Sequence, residues 1–219
     1  MMLALLSLVV CLFVGIANER SRDGKTDAPL QKCILVCMVL ITIFSGVMLD
    51  VGNYSTNAGS VLYAGVLSLQ YLLMRRFGWE AGQRCVVSTM IGMAMLTTTM
   101  AVMGELAGAD QQGRAYALVI DSSRAVTAAS FVAFAIGQSL LVMIYRAARC
   151  MPAAVSYGIN IAVVQAVDSV IFYPIAFGFD GMGLAMLLPG YIIKVSLGLL
   201  AMPLLVLVTR DSGDAAGYR

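Results

Sequence analysis

Apolar residues fall into long stretches separated by short polar connections. They run from Met1 to Ala17, Cys33 to Gly52, Gly59 to Met74, Cys85 to Leu106, Ser122 to Tyr145, Ala153 to Phe177 and Gly183 to Val208. Most approach the ~20 residues a helix needs to cross a hydrocarbon core about 30 Å thick. None shows the strict alternation of a membrane β-barrel strand. The pattern predicts an all-α integral membrane protein with seven transmembrane helices. The first stretch resembles a signal peptide in length, but no Lys or Arg precedes Arg20. A signal peptide needs a positive start, so the stretch is read as a helix.

Composition supports the same class. Of 219 residues, 60% are hydrophobic and 12% charged, against about 45–50% and about 25% in soluble domains. So little charge does not solvate a globule of this size. A soluble enzyme, a nucleic-acid partner and a disordered chain are all excluded. Histidine is absent, which removes the commonest general base and most zinc sites. No enzymatic activity, cofactor or metal is expected. Cys33 and Cys37 share a helix face, but the cysteine spacings match no zinc or redox signature, so these residues read as small hydrophobes.

Charge distribution sets the orientation. With the 18–32 connection in the cytoplasm, alternation of the spans puts Arg20, Arg22, Lys25, Lys32, Arg75, Arg76, Arg84, Arg146, Arg149, Arg210 and Arg219 inside. Only Arg114 and Arg124 fall outside. This bias satisfies the positive-inside rule, and an error of one helix would scramble it. The N-terminus is therefore expected outside and the C-terminus in the cytoplasm, in a cell (inner) membrane. Three regions follow: an extra N-terminal helix with its loop (1–32), a six-helix core (33–208) and a tail (209–219). The outer connection 107–121, with Gly108, Gln111, Gln112 and Gly113, is expected to be a flexible loop. No Walker motif or Gly-rich phosphate loop is present.

Ionisable groups at membrane depth are costly and mark pathways or sites. Asp168 lies 15 residues into the sixth stretch and Lys194 lies 11 into the seventh, so both fall within roughly 5 Å of the midplane. Gln165 precedes Asp168 by three residues and shares its face. Arg124 enters the fifth stretch at its outer end, and Gln138 follows 14 residues later, close to four turns. Two readings fit. One is an outward-opening polar cavity lined by Arg124, Gln138, Gln165, Asp168 and Lys194, for a small, flat, hydrogen-bonding solute. The other is a structural Asp168–Lys194 pair with glutamines bridging helices, each such bond contributing about 0.6 kcal/mol.

Three segments carry a family resemblance. They are Arg124-Ala-Val-Thr-Ala-Ala-Ser-Phe-Val-Ala-Phe-Ala-Ile-Gly-Gln138; Ser156 followed by Val164-Gln165-Ala-Val-Asp168-Ser-Val-Ile-Phe172-Tyr-Pro-Ile-Ala-Phe177; and Tyr191-Ile-Ile-Lys194 with Pro203 downstream. Their order and spacing resemble the queuosine-precursor transporters, also called VUT or vitamin-uptake-transporter-like proteins. Residues 59–78, ending Arg-Arg-Phe-Gly, resemble the family's third segment, and the likeness spans about residues 33–208. The chain departs from the family pattern at Gln70-Tyr71, where many members have Thr-Asp, and at Val47, Ala64 and Leu141.

The resemblance implies uptake of 7-cyano- or 7-aminomethyl-7-deazaguanine. It also implies a six-helix core like the substrate-binding subunits of energy-coupling-factor transporters, working alone, as a homo-oligomer or with an ATPase module. A carboxylate such as Asp168 accepts from two adjacent N–H groups, and Gln138 and Gln165 both donate and accept. Arg124 or Lys194 would meet the base carbonyl, and Tyr71 and Phe172 are among the aromatics able to stack on the ring. The alternatives are a binding subunit for another vitamin-like or nucleobase-like solute driven by a partner ATPase, and a proton or ion pathway.

Overall fold

The computed structural model describes residues 27–44, 47–51, 54–106, 110–179, 181–203 and 205. The first apolar stretch and the tail lie outside these residues. The described chain runs α1 (Ala28–Phe44), β1 (Met48–Val51), β2 (Tyr54–Asn57), α2 (Ala58–Phe77), α3 (Trp79–Glu105), α4 (Gln111–Ala148), α5 (Ala153–Phe177) and α6 (Gly181–Leu200). By length and composition α3, α5, the 124–148 part of α4 and the 183–200 part of α6 are apolar enough to cross a membrane. The 17-residue α1 is apolar but shorter.

Three expectations need correction. The 33–52 stretch does not continue as one helix. After Phe44 the chain becomes a short antiparallel hairpin, with Met48 opposite Asn57 and Val51 opposite Tyr54. The sequence signal was the Gly52-Asn53 pair between short β-compatible segments. The 107–121 connection is mostly helix, because α4 begins at Gln111. Asp110 caps it, accepting from the Gly113 N–H at 2.9 Å, and so satisfies one of the first-turn donors. Finally, residues 28–32 belong to α1 rather than to a loop.

The central helix is α2, which touches all five other helices. From Tyr63 to Met74 its side chains are buried without a break. That explains its weaker apolar pattern: Ser68 and Gln70 face protein rather than lipid. The polarity of the bundle is inverted relative to a soluble protein. Val36, Val87, Met95, Met143 and Leu188 are exposed, whereas Ser68, Gln70, Thr89, Asn160 and Gln165 are fully buried. A continuous apolar exterior is not sustained in water, but lipid requires it. Multi-pass membrane insertion follows.

One end of the bundle is basic. Arg75 and Arg76 occupy the last turn of α2, where cations complement the helix dipole. A single residue, Gly78, turns the chain into α3 at φ 84 and ψ 166, a backbone region that is essentially restricted to glycine. Arg146 sits over the Trp79 ring at 4.8 Å. Arg84 pairs with Asp27 at 2.9 Å, joining α3 to the start of α1. The β-hairpin lies at the opposite end, where α2 begins.

Candidate functional site at the Asp168–Lys194 pair

Lys194 Nζ lies 2.6 Å from Asp168 Oδ2, joining α6 to α5. Both residues are buried, at 2% and 5% exposure. Bare burial of either charge would be prohibitive; the partner makes it tolerable. The ammonium has three donors. Besides Asp168 it faces the rings of Tyr173 at 5.0 Å and Phe172 at 5.2 Å, whose π faces attract a cation. Asp168 and Phe172 are one turn apart on α5, so helical spacing alone brings the carboxylate and ring to the same cation.

Asp168, Lys194 and Phe172 line a small cavity toward the hairpin end. Its volume is about 30 Å³, close to the share of one water molecule. The start of α2 contributes Asn57, Ser60 and Tyr63, α4 contributes Ser130 and Phe134, and α1 contributes Met38 and Ile41. Asn57 is at once the last residue of β2 and the cap of α2. Its Oδ1 accepts from the Ser60 N–H at 2.6 Å. Capping thus fixes two polar side chains at the cavity wall.

The sequence-predicted site residues divide into groups. Asp168, Lys194 and Phe172 come together. Gln138 stands behind the wall, donating from Nε2 to the Tyr63 hydroxyl at 3.4 Å. Gln165 is fully buried but does not line the cavity. Tyr71 lies toward the basic end, with its ring 5.6 Å from Tyr145 and 5.2 Å from Tyr157. Arg124 is exposed and paired with Glu105 at 2.9 Å. It borders a separate groove between α3 and α4. The single five-residue polar cavity is therefore corrected: Arg124 meets Glu105 and the groove between α3 and α4, not Asp168.

Sequence reasoning missed Asn57, Ser60 and Ser130. For Ser130 the signal was present, because Ser130, Phe134 and Gln138 recur at four-residue steps and share a helix face. For Asn57 and Ser60 it was hidden by reading an unbroken apolar span before residue 52.

The family model described as "Putative vitamin uptake transporter" matches residues 57–208. The chain belongs to the vitamin uptake transporter family. The match begins at Asn57 and takes in α2 through α6, so it covers both members of the Asp168–Lys194 pair. No curated protein and no solved structure matches the chain. Family membership makes uptake of a small molecule across the membrane the function to which the fold is matched.

Proposed function

We propose that this vitamin uptake transporter family member imports a 7-deazaguanine base, a queuosine precursor, and binds it at Asp168. One observation carries the reading. A carboxylate and an ammonium, bonded at 2.6 Å and held beside aromatic rings, line a cavity walled by Asn57, Ser60, Tyr63 and Ser130. A flat base with adjacent N–H donors and a carbonyl would exchange the pair for itself: its donors to Asp168, its carbonyl to Lys194, its faces to Phe172 and Phe134. The motif resemblance of residues 124–194 supports the base class.

Ligand pockets usually enclose about 300–1,000 Å³. The cavity of about 30 Å³ is too small for a base, so binding requires its wall, to which Met38 and Ile41 belong, to widen. The remaining features of the proposal are a six-helix core of the energy-coupling-factor type from residue 33, an extra N-terminal helix, an inner-membrane location and a cytoplasmic basic end. The test is uptake of radiolabelled 7-cyano-7-deazaguanine by cells unable to make it and deprived of their own importer. Accumulation only when the chain is expressed supports the reading. No accumulation from correctly inserted protein sinks the substrate class.

A further inference from the structure

Between the ion pair and the basic end the protein buries a series of amide side chains that its own packing does not satisfy. Gln70 and Gln165 have both amide atoms without a hydrogen-bond partner, and Gln138 Oε1 and Asn160 Oδ1 are likewise unpartnered. All four residues are 0% exposed. An unsatisfied buried polar group costs about 1–3 kcal/mol, and native interiors keep few of them. Several on facing helices call for a function.

Their depths are graded. Counting back from the basic ends of the helices, Asp168 is 15 residues from Ala153 and Tyr63 is 14 from Phe77, each about 21–23 Å away. Gln165 is 12 residues from Ala153 and Gln138 is 10 from Ala148, about 15–18 Å. Gln70 is seven from Phe77 and Asn160 seven from Ala153, both about 10 Å. Steps of roughly one helical turn thus lead from the ion pair toward the basic face. On α2, Tyr63 and Gln70 are seven residues apart and lie on one face.

Below the last step three tyrosines interlock. Tyr71 packs edge-on against both Tyr145 and Tyr157. Each hydroxyl is tied to a carbonyl of another helix: Tyr71 donates to Ala153 O at 3.1 Å, Tyr145 to Met74 O at 3.0 Å and Tyr157 to Gly198 O at 2.7 Å. The cluster therefore fastens α2, α4, α5 and α6 together at one level.

We propose that the translocation path continues from Asp168 to the basic face along Gln138, Gln165, Gln70 and Asn160, and that Tyr71, Tyr145 and Tyr157 form the gate closing it. Amides suit such a path. They offer donors and acceptors to a polar heterocycle without the charge that would trap it. The inference rests on the transporter reading but not on the identity of the base.

The test is labelling of single cysteines by a membrane-impermeant methanethiosulfonate in sealed vesicles of each orientation. Asn160→Cys and Gln70→Cys are placed in a chain lacking its native cysteines, with and without Tyr71→Ala. A chain keeping only Cys150, which is exposed at the basic end, marks the face. The expected result is modification from the Cys150 face, at least tenfold faster with Tyr71→Ala, and none at Val163→Cys on the lipid-facing side. Folded Asn160→Cys protein that stays unreactive from that face in the Tyr71→Ala background overturns the path. Where the cysteine-free chain fails to insert, hydrogen exchange of residues 156–165 in otherwise unaltered protein serves instead. Tyr71→Ala should accelerate it relative to 87–95 of α3, and unchanged exchange overturns the gate. Reactive Asn160→Cys with no deazaguanine uptake removes the base and leaves the path standing.

Discussion

Gly190 of α6 lies against the Tyr173 hydroxyl so closely that a β-carbon would collide with it. The contact sets where the Tyr173 ring sits, and that ring lies 5.0 Å from Lys194 Nζ. A glycine four residues before the lysine therefore holds an aromatic partner against the charge.

Gly190→Ala should displace Tyr173, which is fully buried. Overpacking of this kind costs about 1–3 kcal/mol. Thermal unfolding in detergent should show a lowered midpoint, and the double variant Gly190→Ala with Tyr173→Ala, which removes the colliding ring, should lose less than the two single variants added together. No loss in the single variant would mean that the two helices separate freely.

Asp168→Asn keeps size and removes the charge. A hydrogen bond to a charged group contributes about 1.5–3 kcal/mol, so substrate binding should weaken at least tenfold. The double variant Asp168→Asn with Lys194→Met leaves no unpaired buried charge. Stability should return in it while uptake stays lost. Recovery of uptake would make the pair purely structural.

Arg124→Gln should be mild. The Arg124–Glu105 pair is exposed on both sides, and surface pairs contribute about 0–1 kcal/mol. Uptake should stay within about twofold of the wild-type rate, whereas Lys194→Gln should abolish it. An uptake loss at Arg124 as severe as that at Lys194 would restore the outward polar cavity that the sequence suggested.

Orientation is open to direct measurement. A fluorescent tag after Arg219 should be shielded from an external quencher, and a tag before Met1 reached by it. Both tags on one side would remove the seven-span count while leaving the order of α2 to α6 intact.

How far the sequence reached depends on what kind of signal each element left. The boundaries of α5 matched the apolar stretch from 153 to 177, since Pro152 and Gly178 bracket it. Asp168 and Lys194 stood out because lipid tolerates buried charge only with a partner. Arg124 misled because helical spacing gives an azimuth, and only the neighbouring helix decides which azimuth is inside. Tyr71 looked like a stacking residue, yet tyrosines also close interfaces by tying their hydroxyls to neighbouring carbonyls. The hairpin was lost because a run of apolar residues does not distinguish a helix end from a short strand.

The smallness of the cavity changes what a binding measurement would report. If the form able to take the base is about 1% populated, the apparent dissociation constant is about 100-fold weaker than that of the open site itself. Affinity then becomes a property of α1 as well as of Asp168. Trimming Met38 would tighten apparent binding without adding one contact to the ligand, by shifting the resting population toward the form that accepts it.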